Sequence, residues 1–446
     1  MSDAPAETRE AASFAKPLTF VDFVLIATGA SIGSGIFRTP SQIASALPTT
    51  SGVLFAWVLG GALTLAGALT FAELGAAMPR AGGMYVWLSE AYGDLVGFLH
   101  GWAYFLVVAT GAIAALAIVF AEYATYLVPL GRAGMTGLAV GALIVLAVIN
   151  VVGVRLAAAV GDVLTIVKLA AIGAIVVLGF AYGGRHAVAA SPGKAGAGLG
   201  AAMIGVLWSY GGWQHAGFAA GEAKAPERDV PRGMIVGTAI VTLVYVLANV
   251  AYLRLLPVDR IGCSPHVASD AVSAAIGSAG GGVVAAMIAV SAIGTAGIFT
   301  MTTPRVYWAM AERGLFFRGV AEIHPRWRTP VRAITLQTAW AIVLVLAWRT
   351  FEGLVSYVLF VDWIFFGLAG AAVFVLRRRG APNAGYRVPL YPFVPAAFVA
   401  LSAWFVFATL REEPRQAIAG AAFLALGVPV YRVWMRKRRR AATMPL

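Results

Sequence analysis

Gly29, Gly33 and Gly35 fall within seven positions of an apolar run, with Ser31 and Ser34 between them, in the stretch GASIGSGIF (Gly29–Phe37). Each glycine inside a helix costs about 1 kcal/mol against alanine, so a helix is expected to break here. A half-helix starting near Ser34 has no intrahelical acceptors for its first N–H groups. With the half-helix dipole, those groups make an anion site suited to a carboxylate. The preceding half-helix ends in free carbonyls near Thr28–Ser31, which accept hydrogen bonds from an ammonium group. Donors and acceptors this close match a zwitterionic α-amino acid, and glycine clears side chains from the approach. Packing is the plainer reading: Gly29 and Gly33 have the GxxxG spacing of close helix contacts. It leaves Gly35, Ser31 and Ser34 without a role.

A second interruption follows in WSYGGWQHAGFAAGE, Trp208–Glu222. Gly211 and Gly212 sit mid-segment among aromatics, with Gln214 and His215 after them. Paired glycine-interrupted segments in corresponding halves point to a transporter binding site, since unwound backbone is tolerated at membrane depth only where it is buried or lines a cavity. Trp208 is expected to cover the pocket; Trp213 reads equally as pocket or packing. Lys168, in DVLTIVKLAAIGAIVV, is the third feature. A charge at the bilayer centre costs about 2.5–3.5 kcal/mol on insertion scales; snorkelling is the plainer reading, and the apolar flanks make it hard. Glu73 and Glu222 are expected to anchor contacts at segment ends. His215 reads as pocket lining or packing, and His100 and Asn249 as satisfied polar groups between helices.

These groups need helices to hold them. The chain has 446 residues, 60% apolar and 12% charged, whereas soluble domains carry about 25% charged residues. Recurring apolar runs of about 20 residues predict an all-α polytopic membrane protein. Twelve helices are expected, at roughly 18–46, 51–76, 88–120, 136–153, 156–182 and 199–222, then 232–256, 279–310, 331–348, 354–376, 390–409 and 416–434. The net charge is +13. With the N-terminus inside, 23 Lys and Arg fall on the inner side and 9 on the outer, Lys168 aside, as the positive-inside rule requires. Both termini are thus expected in the cytoplasm, on either side of a multi-pass chain in the inner or plasma membrane, and the basic excess needs no nucleic acid. The acidic, polar tail 1–17 lacks the order of a cleaved signal peptide, and 435–446 reads as a basic solvated tail. The single cysteine, Cys263, excludes an intramolecular disulfide and a multi-cysteine zinc site. It reads as an incidental loop thiol. No metal and no cofactor are expected.

Four motifs, in order, carry a resemblance: GASIGSGIF; FAELGAAMPRAGGMYVWLSEAYG (Phe71–Gly93); LWSYGGW with GEAKAPERDVPRG; and SAIGTAGIFTMTTPRVYWAMAERGLF (Ser291–Phe316). Over nearly its whole length the chain resembles the amino acid–polyamine–organocation superfamily, most closely the L-type amino acid transporters. The resemblance implies the sodium-coupled leucine-transporter fold, with inverted five-helix repeats over 18–182 and 199–376 and helices eleven and twelve over 390–434. It implies backbone N–H groups of Ser34, Gly35 and Ile36 on the substrate carboxylate, beside Gly33. Carbonyls near Ala30 and Ser31, with Trp208, Ser209 and Gly211, would receive the amino group. Gly211, Gly212, Trp213 and Gln214 would shape the side-chain space. Lys168 would fill the cation site of sodium-coupled relatives, beside Ser291 and Thr295, as a proton-coupling group or a fixed strut. The loop Val128–Met135 lacks the cysteine that ties animal L-type chains to a heavy subunit. A bacterial-type monomer or weak homo-oligomer is therefore expected. Helix eight departs from the pattern at TTPR, where Pro304 could kink it.

The expected function is secondary-active transport of amino acids by alternating access, as exchange or proton symport, with neutral substrates favoured because the breaks supply no acid. A permease for amines, polyamines or cationic amino acids, and a transporter-like sensor, are the alternatives. An enzyme is disfavoured: no nucleophile–base pair, HExxH or close acid pair appears within one helix.

Overall fold

The computed structural model describes residues 14–125, 128–184, 198–277, 280–348, 352–380 and 385–443. Most of the predicted N-terminal tail, and Arg185, Lys194 and Arg349 of the charge assignment, lie outside them.

The chain is helical almost throughout, because a run of apolar residues in lipid must satisfy every backbone group internally. The first apolar run is split into α1 (Phe20–Ser31) and α2 (Gly35–Ala46), bent by 45°. The Asp22 carboxylate accepts the Thr19 N–H at 2.6 Å and fixes the start of α1. After α3 (Thr50–Ala77) comes a short helix, α4 (Met84–Tyr92), separated at Gly93 from the third span. That span, Asp94–Ala124, comprises α5 (Asp94–Ala103) and α6 (Ala109–Ala124) with a π-turn at Tyr104–Val108 between them. The span therefore starts later than the predicted residue 88, because the glycine at φ +88° breaks the helix. Then follow α7 (Arg132–Val152) and α8 (Val154–Tyr182).

The sixth segment is also interrupted, as α9 (Leu199–Tyr210), a turn at 211–214 and the short α10 (His215–Phe218). Next is α11 (Pro226–Leu255), followed by two short helices that the sequence reading lacked, α12 (Val258–Cys263) and α13 (Val267–Ile276). Cys263 thus ends a helix, where it is exposed, rather than sitting in a loop. The eighth span is α14 (Gly280–Thr302) and α15 (Pro304–Glu312), interrupted where Pro304 takes the first helical position. Then come α16 (Val331–Trp348), α17 (Glu352–Arg378), α18 (Phe393–Glu412) and α19 (Pro414–Thr443).

Among the described residues, nine helices are long and apolar enough to cross a membrane, and the bent α1–α2 pair makes a tenth. The broken sixth segment and the short α16 complete the twelve predicted segments. The chain is a multi-pass membrane protein. Inside it, α11 packs along α3 and α1, while α14 packs against α6 and α8. The two interrupted segments lie against each other, α2 on α9 and α1 on α10, with most of their residues buried.

One face of the bundle is rich in ion pairs. Arg377 grips Glu73 through two bonds of 2.7 Å, and the Val388 N–H adds a third to the same carboxylate. Glu90 pairs with Arg80 at 2.9 Å and also with Arg313. The chain before α1 lies on this face as a strap: the Leu18 N–H donates to the Glu222 carbonyl at 3.1 Å, and the Lys224 N–H donates to the Leu18 carbonyl at 2.8 Å. Beneath it Arg305 forms a bidentate pair with Glu222 at 2.8 and 3.1 Å, both side chains fully buried. On the opposite face, the Ser41 and Ser45 hydroxyls of α2 donate to the Gly262 carbonyl of α12.

Candidate functional site

The two interruptions meet. A cavity of about 70 Å³ lies between them. The first break lines it with Ala30, Ser31, Gly33, Ser34 and Gly35, the second with Trp208, Ser209, Gly211, Gly212 and Gln214. Thr295 and Phe299 of α14, Tyr104 and Val108 of the π-turn, Ala112 and Leu116 of α6, and Val358, Leu359 and Asp362 of α17 complete the wall.

Two glycines make this meeting possible. Gly212 has φ +124°, and a Cβ there would stand 2.5 Å from the Ala30 carbonyl carbon. A Cβ on Gly35 would stand 2.8 Å from the Ser209 Cα. Backbone thus lies against backbone, which no larger residue allows. The GxxxG reading is revised accordingly. Gly29 does pack closely, against Thr165 and Ile298, but a Cβ added at Gly33 would meet Leu116 and Thr295 only at ordinary contact distance, 3.6–3.7 Å.

The polar groups divide by direction. Among the described residues, the N–H groups of Ser34, Gly35 and Ile36 meet no main-chain acceptor, as the first turn of α2 requires. The Ser34 hydroxyl is buried and has no partner either. The carbonyls are more fully used than the sequence suggested. Ser31 and Ser209 both present theirs to the Tyr245 hydroxyl, at 2.8 and 2.9 Å, and the Trp208 carbonyl accepts the Gly211 N–H at 3.2 Å. The Gly29 and Ile32 carbonyls face away from the cavity, toward Lys168.

Lys168 Nζ donates to the Gly29 carbonyl at 2.8 Å, the Ile32 carbonyl at 2.7 Å and the Thr295 hydroxyl at 2.9 Å, with the Ser291 carbonyl at 3.5 Å. Three short contacts match the three protons of an ammonium. The Ser291 hydroxyl lies 3.1 Å from the Ile32 and Gly33 carbonyls, and that of Thr295 lies 2.9 Å from the Gly29 and Ile32 carbonyls. Lys168 is 1% exposed, so its side chain spends its full length inside the bundle, tying α8 and α14 to the loose end of α1.

Four of the expected site residues do not line the cavity. Ile36 is fully buried in the core, which leaves its N–H as its only possible contribution. Trp213 turns away into an aromatic cluster with Phe71, Phe366 and Phe398, so it shapes packing rather than side-chain space. Lys168 and Ser291 lie behind the break. His215 also stands one layer back: its ring stacks on Phe299, and its Nδ1 meets the Thr302 hydroxyl at 2.6 Å. Asn249 is satisfied within its own helix through the Tyr245 carbonyl at 2.9 Å. His100 departs from the expectation, for neither ring nitrogen has a partner among the described residues; the ring stacks on Tyr104 instead.

The breaks supply no acid, but the wall of the cavity does: Asp362, from SYVLFVDWIFFG of α17. An acid in the middle of an apolar span was legible by the same rule that singled out Lys168. Tyr104 and Phe299 gave no such signal, since aromatics recur along every span.

A family model described as amino acid permease matches residues 18–428. The chain is 35% identical to a serine/threonine exchanger, SteT, of Bacillus subtilis (strain 168), over 92% of this chain and 94% of that protein. It is 30% identical to the large neutral amino acids transporter small subunit 2 of Homo sapiens, over 93% of this chain and 80% of that protein. The Asc-type amino acid transporter 1 of Mus musculus is 28% identical, over 95% and 82%. With two interrupted helices sharing one cavity and a match of this extent, the chain belongs to the amino acid permease family, within the superfamily its motifs resemble.

Proposed function

We propose that the protein transports amino acids across the membrane by exchange, with a small substrate held between the two interrupted helices. One observation carries this reading. The cavity sets unpaired N–H groups and the orphaned Ser34 hydroxyl of α2 opposite the carbonyl ends of α1 and α9. An amine without a carboxylate would leave those donors unpaired, at about 1–3 kcal/mol each when buried, which disfavours amine and polyamine substrates. A water needs about 10–15 Å³ on the same measure of volume, so about 70 Å³ suits a small amino acid better than a large one. The relative named as a serine/threonine exchanger fits that size, and its name favours exchange.

In this reading residues 18–182 and 199–376 are two inverted repeats, with 390–434 appended. The face carrying the strap and the Arg305–Glu222 pair is cytoplasmic, and those contacts must part when the site opens inward. Lys168 occupies the place of a coupling cation, so flux would not need sodium. The protein works without a disulfide-linked partner, as a monomer or weak homo-oligomer, and catalyses no covalent step.

The test is uptake into proteoliposomes of labelled amino acids, with and without internal amino acid, a pH gradient and sodium. Uptake stimulated by internal substrate and indifferent to sodium is expected. Binding without flux would replace transport by sensing, and flux that strictly needs sodium would overturn the place given to Lys168.

A further inference from the structure

Asp362 is the one carboxylate lining the cavity among the described residues. Its Oδ1 is shielded from solvent and has no hydrogen-bond partner among them. A buried carboxyl oxygen without a donor costs stability unless something supplies one. Of the polar groups that line the same cavity, Tyr104, Gln214, Ser34 and Thr295, none donates to Oδ1. Asp362 nevertheless lines the cavity, so a ligand seated there can supply the donor its carboxyl group lacks.

The backbone of an amino acid already has its places. Its carboxylate belongs at the start of α2, where N–H groups and the helix dipole attract it. Its ammonium belongs at the carbonyl ends of the two breaks. Asp362 comes from α17, which contributes to neither break, so it is left facing the third part of the ligand.

We propose that Asp362 is the residue that selects the substrate's side chain, favouring short side chains that end in an O–H or N–H donor over apolar ones of the same size. This rests on the amino acid reading of the cavity and deepens it. Threonine and valine are the decisive pair, since they differ by a hydroxyl in place of a methyl. A site built to accept a hydrogen bond discriminates strongly against a ligand lacking the donor, because the site's own group is then left unpaired. One bond to a charged acceptor corresponds to about ten- to hundredfold in affinity.

The experiment measures threonine, valine and 2,3-diaminopropionate on wild type, Asp362→Leu and Asp362→Asn. Exchange is read in proteoliposomes and binding by ligand-induced thermal stabilisation in detergent. Wild type is expected to prefer threonine to valine by about ten- to hundredfold. In Asp362→Leu that preference collapses while valine is kept or gained, which also shows that the variant folds. Asp362→Asn retains an acceptor oxygen, so it keeps threonine over valine but loses 2,3-diaminopropionate relative to threonine. An unchanged threonine-to-valine ratio in both variants overturns the proposal. So does an equal loss of both ligands, which would mean that Asp362 holds the α-ammonium instead. Stabilisation by threonine with no flux leaves this assignment standing while removing transport, and no response of wild type to any amino acid removes both.

Discussion

A charge that lies 1% exposed in a membrane bundle is held there by what it touches. Lys168 satisfies two carbonyls that the break in α1 has stripped of helical partners. Replacing it with methionine keeps much of the bulk and removes all three donors. The Gly29, Ile32 and Gly33 carbonyls would then have only the hydroxyl protons of Thr295 and Ser291 between them, and a buried acceptor left unpaired costs about 1–3 kcal/mol. Lys168→Met is therefore expected to lower the melting temperature in detergent and to slow exchange by at least about tenfold; a variant with wild-type melting and flux would show the lysine to be dispensable. The glycines separate in the same way. Gly212→Ala places a Cβ on the Ala30 backbone at a positive φ, so strain alone costs about 1–3 kcal/mol before the clash is counted. Gly33→Ala meets nothing closer than 3.6 Å. It is expected to lose less stability than Gly212→Ala, yet to raise KM, because its methyl enters a cavity of about 70 Å³. Melting curves beside uptake kinetics separate the two substitutions, and equal destabilisation by both would contradict the contact geometry.

At the scale of elements, the strap before α1, the end of the sixth segment and α15 form one closure. Glu222 ties it together twice, by its carbonyl to Leu18 and by its carboxylate to Arg305. Removing one member of a fully buried ion pair strands the other, at about 3–5 kcal/mol. Glu222→Ala is expected to cost that much, and Glu222→Ala with Arg305→Met less than the single change, since no charge is then left alone. A double variant no more stable than Glu222→Ala would show that the pair is not coupled. Much at this scale was legible beforehand. Glycine and polar residues inside apolar runs marked both interruptions, and the apolar runs themselves marked twelve segments. What periodicity could not give was direction. Trp213 and Trp208 stand five positions apart on one broken segment, yet Trp208 faces the cavity and Trp213 faces Phe71, a choice made by the turn at Gly211–Gln214. Asp362 was missed for a related reason. It carries no glycine break to mark it, and its wall comes from an unbroken helix whose rotation only packing fixes.

At the scale of the molecule, membrane orientation follows from where the charges lie, and one residue can test it. Arg80, Arg313, Arg377 and the strap share a face that the positive-inside rule leads us to expect on the cytoplasmic side. Cys263 ends α12, which packs against the distal half-helix α2 and so sits at the other face. It is exposed, and it is the sole cysteine of the chain. The unmodified protein is thus its own reporter. A membrane-impermeant maleimide added to intact cells should label it, and Cys263→Ser should abolish the signal with little effect on the bundle, because the thiol is exposed and in no disulfide. Inside-out vesicles should leave the thiol unlabelled until detergent is added. Labelling that appears only in inside-out vesicles would invert the chain, place the strap and the Arg305–Glu222 pair outside, and make them an outer closure instead of an inner one.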